Sequence, residues 1–213
     1  MASHLPHWPA RCRSGLHGLV DRVKASPAAL FLHELHDAPA SIGAICPSSG
    51  QLARAMVAAV PLAGSGLVVE LGAGTGCVTR ELLARGVAPE RLRVVEQSQR
   101  FAQHLRKQFA SIPVLQGDAA QLSNLLPSGS AVDAIVSSLP FRSLPAQIAR
   151  DVLNQWRTLL PEGAVVVQFT YALMAHPASM FSGFSVTSEH IVLANLPPAK
   201  VMVLRRTPLA RAA

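Results

Sequence analysis

Along this chain the spacing of apolar residues switches repeatedly between a helical and a strand-like rhythm. Leu16, Leu19, Val20 and Val23 fall at i, i+3, i+4 and i+7, which predicts an amphipathic helix flanked by Arg13, Arg22 and Lys24. Gly15 and Gly18 lower its intrinsic propensity, so it should order only against a surface. Ser26 and Pro27 form a capping pair ahead of a second helix through 28–35. Pro47, Ser48 and Ser49 read as a cap ahead of a third helix through 52–57. From Val68 the rhythm becomes that of a buried strand, and after three alternating glycines it turns helical over 77–83. Residues 91–96, 112–119, 131–138 and 163–171 read as four further strands, the last rich in valine as a strand buried on both faces should be. Helices are predicted over 97–105 and from about 146 to 159. Segments 185–193 and 200–205, joined around Asn195-Leu196-Pro197-Pro198, predict an antiparallel hairpin closing one edge. Strands alternating with helices imply an α/β domain on a largely parallel sheet.

Composition sharpens this picture in three respects. The 213 residues suit one domain with a full core, and at 50% hydrophobic and 15% charged the chain is not a disordered one. Residues 1–14, with Pro6, Pro9 and Trp8, show no periodicity, and His4 and His7 lack ligand-like partners. Cys12, Cys46 and Cys77 are scattered without metal-ligand spacing, which points to a reducing compartment, no disulfide framework and no metal. No apolar stretch qualifies as a membrane span and no secretory signal is visible, so the protein is expected to be cytoplasmic, soluble or peripherally bound to the inner membrane, and a monomer.

The net charge of +7 is unevenly placed. Arg11, Arg13, Arg22 and Lys24 outweigh Asp21 in residues 1–24, and Lys200, Arg205, Arg206 and Arg211 meet no acid in 199–213. The stretch between carries eleven basic and eleven acidic residues. Basic termini on a neutral body suit an anionic surface, either phospholipid headgroups or a nucleic-acid backbone, and can equally be solubilising tails.

The chemistry concentrates at 70–76, Glu-Leu-Gly-Ala-Gly-Thr-Gly. Gly72, Gly74 and Gly76 permit positive φ and close approach of a ligand. A dinucleotide fingerprint would space its glycines G-x-G-x-x-G for a pyrophosphate; here the spacing is G-x-G-x-G, with Glu70 placed to repel a phosphate and suit a cation. Glu96, at the tip of the next strand, is placed to reach ribose hydroxyls. Asp118 lies just past the tip of the third strand, so three acids gather at the sheet edge where ligands of open α/β sheets bind.

These residues resemble the first motifs of the class I S-adenosylmethionine-dependent methyltransferases. The resemblance implies a Rossmann-like, mostly parallel seven-stranded sheet of order 3-2-1-4-5-7-6 with a C-terminal antiparallel hairpin and extra N-terminal helices. It implies S-adenosylmethionine as cofactor, held by Glu70, Gly72, Gly74, Gly76, Glu96, Gln97, Asp118, Ala119 and Ser137, with Asp118 accepting from the adenine amino group. The run Ile42-Gly43-Ala44 to Pro47-Ser48-Ser49, the run from Ser137 to Pro145, Gln168-Phe169-Thr170-Tyr171 and Asn195 to Ala199 are similar to the bacterial phospholipid N-methyltransferases. Together these matches cover most of residues 31–205. On that likeness Pro47, Ser48 and Ser49 border the methionine end of the cofactor. Residues 1–26 would be a basic amphipathic segment, 27–60 a helical lid and 61–205 the catalytic core.

Ser138-Leu139-Pro140-Phe141 occupies the place of the Asp/Asn/Ser-x-Pro-aromatic motif of amino-group methyltransferases. An oxygen there can take a hydrogen bond from an attacking amine, with Ser138, Pro140 and Tyr171 as catalytic candidates and Leu139, Phe141 and Arg142 as substrate contacts. Arg142 could meet a lipid phosphate or simply solvent. Tyr171 could orient a headgroup, relay its proton or be structural. The implied reaction is in-line methylation of phosphatidylethanolamine toward phosphatidylcholine, with no nucleic-acid partner. An RNA adenine N6-dimethyltransferase shares the cofactor motifs, but such enzymes append a helical domain for which the eight residues after Arg205 leave no room. A cofactor- or lipid-binding module without activity is the third reading.

Overall fold

The computed structural model describes residues 46–174, 180–195 and 197–208, the side chains of 46–49 excepted. The helices read over 16–23 and 28–35, and the basic residues of 1–24, lie outside the described residues.

Seven strands form one sheet of order β3-β2-β1-β4-β5-β7-β6. They are β1 (Leu67–Leu71), β2 (Leu92–Glu96), β3 (Val114–Gln116), β4 (Val132–Ser137), β5 (Val165–Thr170), β6 (Phe184–Val192) and β7 (Ala199–Arg206). The first five run parallel, while β7 is antiparallel to both β5 and β6. Each of the five rests on the predicted apolar run, and each stops within three residues of its predicted ends. β1 and β4 are buried on both faces apart from half-buried Leu67 and Asp133 at their starts, as central strands of a parallel sheet should be.

The helices are α1 (Cys46–Val57), α2 (Cys77–Ala84), α3 (Gln99–Gln108), α4 (Leu122–Leu125) and α5 (Ala146–Leu159). One face of the sheet buries Leu52, Met56 and Val57 of α1, Leu82 of α2 and Leu105 of α3 against Val68, Val94, Val136 and Val167. The other buries Leu122 of α4 and Val152, Leu153 and Trp156 of α5 against Val69, Leu71, Ile135 and Val166. Trp156 stands 5.0 Å from Phe141 and 6.3 Å from Phe181, centroid to centroid, making an aromatic cluster beneath α5. Each such fully buried side chain stabilises by about 1.5–3 kcal/mol.

Arg91 fastens the lower edge of the sheet. Its guanidinium donates to the carbonyls of Leu62 and Gly66 at 2.6 and 2.8 Å and pairs with Asp133 at 2.9 Å. The same carboxylate accepts from the Gly66 amide, so one ion pair joins the approaches to β1, β2 and β4.

Three expectations need correction here. α1 starts at Cys46, so Pro47, Ser48 and Ser49 belong to its first turn and not to a loop ahead of it. Proline is tolerated there because the first N–H groups of a helix have no intrahelical partner. Of the C-terminal basic residues, Lys200, Arg205 and Arg206 lie in β7 and not in a tail, while Arg211 lies outside the described residues. Lys200 and Arg206 are buried in β7, Lys200 pairing with Glu189 at 3.3 Å and Arg206 lying 5.7 Å over the Phe184 ring. Phe141 is a core residue, fixed between Trp156 and Phe181, so its ring is not offered to a substrate.

Candidate active site

The site forms where the parallel strands end. Beyond β1 the chain passes through Gly72, Gly74 and Gly76 at φ 72°, 55° and 80°, all left-handed, and then enters α2. The three glycines do different work. A Cβ at Gly76 would stand 2.5 Å from Phe109, so this glycine serves helix packing. A Cβ at Gly74 would meet nothing within 4 Å, leaving that part of the loop open for a ligand. At Gly72 the nearest atom to a Cβ would be Leu139 Cδ2 at 3.1 Å. The glycine loop and the Ser138-Leu139 turn are therefore neighbours, tied by the Ser138 amide donating to Leu71 O at 2.9 Å.

Glu70 points back under the loop and is fully buried on the α2 side, where Oε2 accepts from the Thr79 hydroxyl at 2.6 Å. Its Oε1 is buried with no hydrogen-bond partner. Burial pushes its pKa up to about 7 against the lowering effect of the Thr79 hydrogen bonds, and Glu96 adds a smaller upward push. The acid read as a fixed negative charge is thus a group poised to titrate at neutral pH, with one oxygen awaiting a donor.

Glu96, last residue of β2, accepts from the Gly74 amide at 2.9 Å and from the Ser98 amide at 2.8 Å. It shapes the glycine loop as well as standing at its rim, a role spacing alone did not disclose. Gln97 beside it is exposed. Asp118 caps a short 3₁₀ turn, accepting from Ala120 N at 2.8 Å, while the Ala119 side chain packs into the core and leaves only its backbone for a ligand. Pairing of Glu70 with Val94 and of Glu96 with Gln116 keeps all three acids along one edge of adjacent strands.

Ser137 ends β4 buried, its hydroxyl accepting from Leu139 N at 3.3 Å. In the turn that follows, the carbonyl of Leu139 accepts from Phe141 N and from Gln168 Nε2, both at 2.9 Å. The Pro140 carbonyl accepts from Ser143 N and Leu144 N. Among the described residues none donates to the carbonyl or the hydroxyl of Ser138, whose amide is held by Leu71 O at 2.9 Å. The oxygens of Leu139 and Pro140 are thus engaged by the turn and by Gln168, while those of Ser138 accept from no described residue.

Gln168 was not read as a site residue. Buried in β5, it also donates to Phe169 O at 2.7 Å, while its own Oε1 is buried without a partner. A single amide inside a run of buried valines was the available signal, because such a group must find hydrogen bonds. Tyr171, just beyond β5, packs edge-on to Phe169 at 5.4 Å. Burial pushes its phenol above the ordinary value, outweighing the lowering by Asn195. It stays protonated at neutral pH and is not a base. Arg142 is exposed at the same edge.

A sequence model of the family described as "Methyltransferase domain" matches residues 68–163. An ornithine lipid N-methyltransferase from Singulisphaera acidiphila is 32% identical over 176 residues, spanning 80% of this chain and 91% of that protein. The chain belongs to the class I S-adenosylmethionine-dependent methyltransferases. A second methyltransferase relative, named probable ribosomal RNA small subunit methyltransferase A in Haloarcula marismortui, is 33% identical over 142 residues. That match takes in 62% of this chain and 46% of the relative's own length. Magnesium protoporphyrin IX methyltransferase from Synechocystis, solved with bound S-adenosylmethionine, shares the methyltransferase fold at TM-score 0.57 and 14% identity, over 76% of this chain and 79% of that one. The cofactor of this methyltransferase is S-adenosylmethionine. The open side of Gly74 and the orphaned Glu70 oxygen fit a ligand that brings both bulk and a cationic donor.

Proposed function

We propose that this methyltransferase acts on the amine of a membrane-lipid headgroup, with phosphatidylethanolamine as acceptor and phosphatidylcholine as the end product. The reading is carried by the nearness of the Ser138 turn, whose Ser138 oxygens accept from no described residue, to the cofactor loop: Ser138 N donates to Leu71 O at 2.9 Å and Leu139 borders Gly72. S-adenosylmethionine, when bound, supplies an electrophilic methyl group on a sulfonium. Glu70 Oε1 would receive a donor from its cationic end, Glu96 and the exposed Gln97 would face the ribose, and Asp118 with the Ala119 backbone would face the base. Pro47, Ser48 and Ser49, on the first turn of α1, would border the methionine end, and Ser137 would hold the Leu139 amide beneath it.

On the acceptor side Ser138 would take hydrogen bonds from the amine through its carbonyl and hydroxyl, orienting the nitrogen lone pair. Such alignment contributes several kcal/mol, about 7 or more in favourable cases. An alkyl amine, like lysine, has a reference pKa of about 10.4 and arrives protonated. A partly dry site beside a second cation favours the neutral amine and so releases the proton to solvent. Tyr171, held protonated, orients and does not deprotonate. Pro140 shapes the turn, and exposed Arg142 would meet a headgroup phosphate.

The ornithine lipid relative supports a lipid amine and gives the second reading, an ornithine lipid headgroup. Vesicles carrying phosphatidylethanolamine, vesicles carrying ornithine lipid, and ribosomal RNA should be offered in parallel with radiolabelled cofactor. Label in mono-, di- or trimethylated phosphatidylethanolamine is the expected result. Label in ornithine lipid alone would move the acceptor to the second reading, and label in RNA alone would end the lipid reading.

A further inference from the structure

Four large hydrophobic side chains are exposed among the described residues: Leu62 at 45%, Met174 at 96%, Ile191 at 45% and Leu193 at 76%. Three of the four lie at or just beyond the ends of β5 and β6. β6 runs in the same direction as β5, since both are antiparallel to β7, and the register Thr170–Lys200–Ile191 places the ends of β5 and β6 at one edge. Met174 follows the end of β5, and Leu193 with exposed Ala194 and Pro197 makes up the β6–β7 turn. Ser137 pairs with Gln168, so the Ser138 turn and exposed Arg142 lie along the same edge, one strand further in. The edge is two-sided. Over β1 to β3 it presents exposed Thr75 and Gln97 with half-buried Asp118; over β5 to β6 it presents methionine, isoleucine and leucine.

We infer that the apolar rim formed by Met174, Ile191 and Leu193 is the surface on which this protein sits on a phospholipid bilayer, its side chains entering the interface beside the mouth of the acceptor site. The inference rests on the lipid reading above and names the face that meets the bilayer. An isolated exposed apolar residue needs no explanation, but a group of them at the mouth of one site does. A lipid acceptor keeps its acyl chains in the bilayer, so the acceptor mouth must reach the headgroup layer. The apolar residues lie on that half of the edge and are absent from the polar cofactor half. Arg142, at the junction of the halves, stands at the level where headgroup phosphates would lie. Leu62 lies before β1, at the opposite edge, and has no part in this surface.

The test uses the full chain carrying M174D and L193D together, with L62D as a matched control. Flotation with vesicles of phosphatidylethanolamine and phosphatidylcholine in high salt removes the screened attraction of basic segments and leaves the apolar contribution. Binding should fall by at least about tenfold in the double variant, because interfacial affinity scales with buried apolar area. L62D should bind as the parent does. Thermal midpoint, calorimetric cofactor affinity and turnover of monomeric short-chain phosphatidylethanolamine should be unchanged in both. Parent-like vesicle binding by the double variant would overturn the inference, as would an equal loss in L62D. A parent dimer that the double variant splits would make the rim a protein interface and overturn it too. A parent that binds vesicles through the rim but methylates no lipid would sink the acceptor reading and leave the docking face standing.

Discussion

Glu70 shows how one buried carboxyl can couple proton and cofactor. Its Oε2 is tied to Thr79 while Oε1 waits unpaired, and burial holds its pKa near 7. Because the folded value lies above the unfolded one, the native state binds the extra proton between them. Stability therefore falls as pH rises through about 4.5 to 7, and the cost persists in full above that window. A cation delivered to Oε1 favours the ionised form, so cofactor binding should tighten as pH rises through 7. Calorimetry across that range should show the trend in the parent and a weaker, flat profile in E70Q, whose thermal midpoint at pH 8 should not fall. A parent profile without slope would mean that another group receives the cationic end. Gln168 and Tyr171 carry the same lesson in milder form: what a polar side chain does depends on how many of its atoms the fold has already engaged.

Among the elements, the strand–loop–helix from β1 to α2 separates packing from ligand contact within five residues. G76A should destabilise the fold, by about 1–2 kcal/mol for left-handed backbone and about 1–3 kcal/mol more for the clash with Phe109 and Leu105. G74A has the backbone strain but no clash, so it should melt only slightly below the parent while losing cofactor affinity. Chemical denaturation with calorimetry separates the two. This segment was readable in the sequence because β-branched runs, alternating glycines and a helical rhythm each have one physical explanation. The strand order followed from resemblance to a fold with that hairpin. Phe141 was misread because a proline-aromatic pair looks the same whether the ring faces a ligand or Trp156. Lys200 and Arg206 were counted as tail charges because net charge ignores strand alternation, although both share the face of Met202 and Leu204. The first turn of α1 was taken for a loop because serine and proline serve equally before a helix and within its opening turn.

At the scale of the whole molecule, the sheet puts its fastening and its chemistry at opposite edges. Arg91 and Asp133 lock the lower one, while the upper carries glycine loop, acceptor turn and apolar rim. Among the described residues no helix is long and apolar enough to cross a membrane, so the proposed attachment would be made by a surface or by segments outside them. Deleting residues 1–24 should weaken binding to anionic vesicles at low salt and spare cofactor affinity. Unchanged flotation would remove the membrane role of that basic stretch.

Ser138 N donates to Leu71 O and Leu139 borders Gly72, so the cofactor loop and the Ser138 turn are immediate neighbours. On the lipid reading proposed above, spent nucleoside would leave over β1 to β3 while the headgroup stayed beside Ser138, and successive rounds on one lipid would need only an exchange of nucleoside.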